Sequence, residues 1–514
     1  MTQKNKLAVE IICVILAFLV FIVILSNHYI EKEKVEYVNP RFAVIDYDQL
    51  QREANILEID KTNKTAKNVF VLNYHLVTNG PPEDEYDISY EQFKENMFAL
   101  KREGYQTVNL SDFYLYLRGE KELREKSFLL TFDDGAKSTY YNADPILKAL
   151  NYTAVMFIIT DFSLSQPGNV YYLNKTELLS AQESGRWELE SHTDSSHYRP
   201  IIGSNGEKGA ALTNKLWITN ESRLETDEEY YLRAVEDLIT AKDLLEYHLN
   251  KNITAFSLPF GDFGEKSNYV YAHKILYSIT TENYKMVFHQ FNPSKARYRA
   301  NYNDIKKDSY VIVRLSVDNY RTPEELLKEI EASESRELPY YEDFSNIKRW
   351  STTSGELSFN NSKLLIKSKT NEESDIRSVY LDGSYLWENY TYSLELDGLN
   401  NSIVSLISRL KSPEDYTSCQ YGNGFVKILN TEKNVQKKIA DNTIFNLTFP
   451  TYLSISVNGS EVTCSINGIE KVKSEVPSIS VNGGVGLKIE RFNDKNKTFT
   501  FGEIVITPIK NDNL

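Results

Sequence analysis

The sequence predicts two folded domains of different class, an α/β domain followed by an all-β sandwich, behind an apolar N-terminal segment of membrane-spanning length. Three observations predict this. From Val69 to about Ser333, short apolar runs alternate with amphipathic stretches, the pattern of a parallel sheet, open or closed into a barrel, with helices packed on it. After Pro339 the helical periodicity disappears, and short β-rich runs follow, separated by Asn, Gly and Ser. Ahead of both, Leu7–Leu25 is apolar apart from Glu10 and follows Lys4 and Lys6.

As a helix the N-terminal run would be about 28 Å long, close to the roughly 30 Å thickness of a bilayer's hydrocarbon core. A cleaved signal peptide has a shorter apolar region and a small-residue cleavage site. This run ends instead in Leu25-Ser26-Asn27-His28. The basic residues before it place the N-terminus inside the cell. Residues 1–28 are therefore expected to form a cytoplasmic tip and a single-pass signal anchor in the cell membrane, with the remaining mass extracellular. Residues 29–67 are charged and weakly patterned, as expected of a stalk.

Residues 68–337 carry the α/β pattern. Strands are expected at Val69–Asn73, Ser127–Phe132, Thr153–Ile159, Trp187–Glu190, Ile253–Leu258 and Val311–Val317. One helix opens at the capping box Ser89-x-x-Gln92 and closes at Gly104, and another runs from Lys137 to Leu150. A long helix starts at Thr226-x-x-Glu229 and ends near Leu249, and a last one is capped by Thr322 with Pro323 at its first position. Residues 198–224 interrupt the alternation and read as a surface insertion. In residues 340–510, eight β-rich runs between Lys363–Lys367 and Phe499–Ile506 predict a two-sheet, jelly-roll-like sandwich. Two different periods meet at about 335–342, which sets the domain boundary there.

A chain of 514 residues exceeds one compact core. Its 41% apolar and 25% charged content is ordinary for a folded protein. The net charge of −14 argues against nucleic acid as a partner, since phosphate binding needs a basic face, and suits a neutral or cationic polymer. The 35 tyrosines fit sugar faces and β-sandwich cores equally well. Cys419 and Cys464 both fall in the sandwich, where they form either a disulfide, outside the cell, or two buried thiols.

Three short motifs carry chemistry. Thr131-Phe132-Asp133-Asp134-Gly135 lies where an apolar strand ends and a helix begins. Adjacent carboxylates repel, so each needs its own employment, a cation for one and a proton for the other; the simpler alternative is a helix N-cap with its turn glycine. His192-Thr193-Asp194-Ser195-Ser196-His197 directly follows the WELES strand. Two imidazoles at a strand end can converge on one ion, and with one carboxylate they make a three-ligand set for Zn²⁺ that leaves a position open for water. Pro259-Phe260-Gly261 ends a third strand. In barrels of alternating strands and helices, chemistry gathers at the C-terminal strand ends, and all three motifs sit there.

These motifs, in this order, resemble those of the polysaccharide deacetylases with NodB homology (carbohydrate esterase family 4), over about residues 69–335. The resemblance implies a distorted (β/α) barrel, a divalent metal held by Asp134, His192 and His197, and Asp133 as general base. Tyr74-His75 after the first strand is similar to a subgroup that includes the poly-N-acetylglucosamine deacetylases. Many family members carry an Arg two residues before the proline of the third motif, where this chain has Ser257. Many also carry a late Leu-x-His motif that supplies the acid, where this chain reads Val313-Arg314-Leu315-Ser316-Val317. The acid is thus left to His75 or His289. Pro259, Phe260 and Gly261 are expected around the substrate and its oxyanion, with the Phe260 N–H as a donor, and Arg314 is either a substrate contact or a strand residue with a salt-bridge partner. The sandwich loosely resembles concanavalin-like modules, through EDFSN and GGVGLKIERF, and implies either glycan binding or a structural spacer.

The expected activity is removal of N-acetyl groups from an extracellular polymer of N-acetylglucosamine, exopolysaccharide in preference to peptidoglycan. Two rivals stand beside it. One is a cell-surface glycan-binding protein whose barrel has lost catalysis. The other is a barrel glycoside hydrolase with two carboxylates across a glycosidic bond, which leaves the paired histidines without a role.

Overall fold

The structure is a computed structural model that describes residues 42–57, 64–66, 68–291 except 167 and 265, 302–303, 310–317, 322–333, 336–342, 344, 349–352, 356–360, 363–367, 376–399 except 386, 401–412, 414–432, 435–443, 447–477, 482–490 and 498–509. They divide into two compact units, one within residues 1–291 and 304–324 and one within 292–303 and 325–514. The expected anchor, Leu7–Leu25, lies outside the described residues. Among those described, no helix is long and apolar enough to cross a membrane.

In the first unit, seven parallel strands close on themselves: β1 (Val69–Tyr74), β2 (Ser127–Phe132), β3 (Ala154–Ile158), β4 (Trp187–Ser191), β5 (Ala255–Ser257), β6 (Met286–Phe291) and β7 (Val311–Ser316). Each pairs with its successor, and β7 returns to β1 through Leu72↔Leu315 and Asn73↔Ser316. The circle is weakest between β4 and β5, which share one register pair, Phe256↔Ser191. The expected strands are all present, and β6 joins them. Its sequence, MVFHQF, follows helix Ala272–Asn283 without a turn glycine to announce it.

Period-2 alternation sends one set of side chains inward. Val69, Val71, Leu129, Val155, Phe157, Ala255, Met286, Phe288 and Ile312 fill the lower barrel, and the helix Leu110–Leu117 adds Leu110, Phe113, Tyr116 and Leu117 to that cluster. The next inward residues along β1, β2, β5 and β7 are polar: Asn73, Thr131, Ser257 and Arg314, all buried. The interior thus changes from apolar to polar at the C-terminal strand ends. The long helix α6, Asp227–Leu249 (α1–α5 being Tyr47–Asn55, Tyr90–Arg102, Leu110–Leu117, Lys137–Leu150 and Lys175–Glu183), has the expected capping box between Thr226 and Glu229.

Two expectations are corrected. Residues 42–57, assigned to a stalk, include α1, which lies against α4. Leu50 is buried, Glu53 pairs with Lys94 at 2.7 Å, and Ala43 N–H donates to Asn142 Oδ1 at 2.8 Å. A nine-residue helix with one buried apolar residue leaves almost no periodic signal. The stretch 198–224 is not a plain surface insertion either. Ala210 to Asn214 are buried, and Arg233 of α6 donates to Ala211 O and Asn214 O at 2.9 and 2.8 Å.

The second unit is a sandwich of an eight-stranded and a seven-stranded sheet, with antiparallel pairing. This is nearly twice the eight strands expected. Val435–Thr443 (VQKKIADNT) is a strand with no buried residue, and Ile469–Glu475 has only Val472 buried, so neither shows an apolar run. Tyr392, Leu394, Val404, Leu406, Ile428, Leu453, Leu487 and Phe501 belong to the continuous core between the sheets. Cys419 and Cys464 form a disulfide with a Cα–Cα distance of 5.7 Å. Cys419 belongs to the seven-stranded sheet and Cys464 to the eight-stranded one, so the bridge staples the sandwich across its core.

Candidate active site

The site is built at the C-terminal ends of β1, β2, β4, β5 and β7. Strand β2 runs straight into Asp133 and Asp134, and Asp134 takes a left-handed backbone (φ 74°) followed by Gly135 (φ 81°). That turn aims the two carboxylates apart. A side chain at Gly135 would also meet Ile158 Cδ1 at 3.0 Å, which explains the glycine.

Asp133 points into the barrel and is 1% exposed. Arg314 reaches it from β7 in a bidentate pair, with Nη1 to Oδ1 at 2.7 Å and Nη2 to Oδ2 at 2.8 Å. The same guanidinium donates to Asn73 Oδ1 at 2.9 Å and to Ser257 Oγ at 2.8 Å, and lies over the rings of Phe157 and Phe288. Asn73 Nδ2 donates back to Asp133 Oδ2 at 3.3 Å. Burial by itself would raise the Asp133 pKa, but the Arg314 charge outweighs it and holds the carboxyl well below its ordinary range. Asp133 is therefore an ionised acceptor fixed in one orientation. Of the two expectations for Arg314, the salt-bridge partner is the one realised. The side chain is fully buried with its guanidinium turned to Asp133, Asn73 and Ser257.

Asp134 turns the other way. Its Oδ1 lies 3.4 Å from His192 Nε2 and 3.4 Å from His197 Nε2. Burial would raise its pKa, but the neighbouring imidazoles of His197 and His192, when protonated, hold it down at about 2. The His192 Nδ1–H donates to Ser257 O at 2.8 Å, which leaves the Nε2 lone pair facing Asp134. Three acceptors thus converge, all within 4.8 Å of one another, and the buried Asp134 Oδ1 has no hydrogen-bond donor. Such an array repels itself unless a cation sits between its members. The donor set, two imidazole nitrogens and one carboxylate oxygen, suits Zn²⁺. Among the described residues it is the one His/Cys/Asp/Glu group of this kind.

His197 is held from its other side. Its ring stacks on Phe260 at 4.6 Å, and the guanidinium of Arg199 lies over Phe260 at 4.2 Å. Phe260 adopts φ 59° and Gly261 φ 57°, where a side chain on Gly261 would meet Gln290 Cβ at 2.6 Å. The turn Pro259–Gly261 thus lies beside the histidines, with Pro259 buried and Phe260 at the mouth. Of the two acid candidates, only His75 is at the site. Its Nε2 is 3.8 Å from Asp133 Oδ2, its ring packs on Tyr86 at 5.3 Å, and its buried Nδ1 has no partner. His289 is corrected. It lies between the inward-facing Phe288 and Gln290 on β6, so strand alternation turns it to the outer face of the barrel.

The motif reading missed Asn73, which completes the Arg314 cradle, and Asp237, which holds the histidine loop from α6. Asp194, inside that loop, is not a ligand: its carboxylate accepts from Thr160 Oγ1 at 2.6 Å. The Ser257 hydroxyl on β5 receives Arg314 from a different strand.

The chain is similar in sequence to known proteins. Residues 120–277 match the family model for polysaccharide deacetylase. The chain is 28% identical over 204 residues to a poly-β-1,6-N-acetyl-D-glucosamine N-deacetylase of Escherichia coli (strain K12), covering 37% of this chain and 30% of that one. It is 29% identical over 227 residues to the protein of the same name from Staphylococcus epidermidis, covering 41% and 71%. The solved structure of a de-N-acetylase from Aggregatibacter actinomycetemcomitans is similar at 25% identity and a TM-score of 0.43, over 51% of this chain and 99% of that one. The match spans less than a third of the Escherichia coli relative's length. Residues 120–277, with the converging ligand set they contain, show that this chain carries a polysaccharide deacetylase domain.

Proposed function

We propose that this chain is a metal-dependent hydrolase that removes N-acetyl groups from an extracellular polymer of N-acetylglucosamine, exopolysaccharide rather than peptidoglycan. The observation that carries the reading is the division of labour between adjacent carboxylates, Asp133 locked on Arg314 and Asp134 turned to two imidazoles. The names of the two relatives above support the choice of polymer.

A divalent ion held by Asp134, His192 and His197 supplies a polarised acetyl carbonyl and an acidified water. Asp133, ionised and oriented by Arg314, receives the proton of the attacking water. His75, on the other side of Asp133, is placed to give a proton to the departing amine. Its Nε2 faces the site, and its ring is braced by Tyr86. The Phe260 N–H serves the oxyanion from the Pro259–Gly261 turn. Arg199, exposed and with its guanidinium over the Phe260 ring, is placed to present its N–H groups to sugar oxygens.

The expected setting is the cell surface, with Leu7–Leu25 as anchor and the sandwich as a glycan-binding module. The apolar run after Lys4 and Lys6 supports the first part. The Cys419–Cys464 disulfide fits an oxidising compartment.

Acetate release from β-1,6- and β-1,4-linked N-acetylglucosamine oligomers tests the proposal. The full chain should release acetate, prefer the β-1,6 series and lose activity to a chelator and to Asp133→Asn. Stoichiometric metal without acetate release from either series would favour a glycan-binding barrel instead.

A further inference from the structure

The loop that carries both histidines has little regular structure of its own. It leaves β4 at Ser191, passes Thr193 in a left-handed backbone (φ 74°) and reaches His197 six residues after the strand ends. A loop in this state does not fix two imidazoles against one carboxylate unless something outside it does. On one side it is held by main chain, through Thr160 N–H to Thr193 O at 3.2 Å and Asp161 N–H to Asp194 O at 3.3 Å.

Between the two histidines it is held by a carboxylate, Asp237, in the middle of α6 and 5% exposed. Asp237 Oδ1 accepts from the Ser195 N–H at 2.8 Å and from Ser195 Oγ at 3.3 Å, and Oδ2 accepts from the Asp194 N–H at 3.3 Å. All three donors lie between the two histidines. A buried carboxylate is tolerated only when donors satisfy it, so the loop and the carboxylate require each other. An α6 that carried Leu or Ala here would still pack, but the loop's donors would lose their acceptor.

We infer that Asp237 is a positioning residue for the metal ligands: it sets the spacing of His192 and His197 by gathering the loop's donors between them. The inference rests on the metal-dependent reading above. Asp237 touches neither ligand atom, and it acts as an outer partner that orients a binding loop, a role whose loss typically weakens metal affinity about 10–100-fold.

The test uses the full chain, stripped of metal and titrated with Zn²⁺ against a chromophoric chelator, and then with Co²⁺ to read the ligand-field absorption. The wild-type chain should take one equivalent; if it takes none, the metal reading itself fails. Asp237→Asn, nearly isosteric, should bind Zn²⁺ at least about ten-fold more weakly, with a shifted and weakened Co²⁺ spectrum, and Asp237→Glu should recover part of the loss. The double variant Ser195→Ala/Ser196→Ala removes the Ser195 hydroxyl donor and the neighbouring hydroxyl that could replace it while leaving α6 intact, so it reads the same contact even if Asp237→Asn does not fold. It should weaken binding by a smaller factor, about three-fold. Wild-type affinity and an unchanged Co²⁺ spectrum in the double variant, or in a folded Asp237→Asn, would overturn the inference. A lower melting temperature alone would not support it.

Discussion

At the scale of single residues, the site is organised by one buried ion pair. Arg314 and Asp133 are both out of water, and each is the other's main compensation. Removing one partner of such a pair leaves an uncompensated charge in the barrel, which typically costs about 3–5 kcal/mol. Arg314→Met is therefore expected to lower the unfolding free energy by about that amount in denaturant titration. Acetate release should fall even where the protein remains folded, because Asp133 loses its fixed orientation. Arg199 makes the opposite case. It is exposed and touches the site through Phe260, so Arg199→Ala should leave the melting temperature unchanged. It should raise KM several-fold with a smaller effect on kcat, the pattern of a lost substrate contact.

The same scale shows what could be read beforehand. Asp133, Asp134, His192 and His197 were legible because each motif is contiguous in sequence and ends a recognisable strand. Arg314 was visible but ambiguous: its partner lies 181 residues away, and only the β7–β1 register brings the two together. Asp237 was invisible, because an aspartate within the acidic helix DEEYYLRAVED reads as one more solvated charge. His289 looked equivalent to His75 until β6 was placed, and the strand's alternation then separated them.

At the scale of elements, local signals did well where burial is regular and poorly where it is not. The barrel strands are apolar on both faces, and most were visible as short runs. Two strands at the edges of the sandwich sheets, Val435–Thr443 and Ile469–Glu475, bury almost nothing and carry no apolar run. Helix α1 belongs to this second group, since its docking depends on Leu50 and on polar contacts to Lys94 and Asn142. Leu50→Ala should destabilise the barrel by about 2 kcal/mol, at the low end for a buried leucine because the helix lies at the surface. Cleavage near residue 50 by a nonspecific protease should increase in the same variant. If neither changes, the helix is ornamental to the barrel.

At the scale of the whole molecule, the chain holds two cores of different construction. The sandwich is cross-linked through its own centre, and a loop of the length closed by Cys419–Cys464 is worth about 4 kcal/mol in the chain-entropy account. Reduction should therefore lower the melting of the sandwich while acetate release from short oligomers persists, since no residue of the catalytic constellation lies in that unit. Loss of both together would mean that the barrel depends on the sandwich for its stability.

The order in which the barrel's parts leave the ribosome gives the Arg314–Asp133 pair a further meaning. The negative member is made early and its counter-charge comes with the last strand to close the circle. A barrel without β7 would leave the Asp133 carboxylate without its cationic partner. Burying that carboxylate alone would be costly, so the strand that closes the ring also brings the partner that orients it.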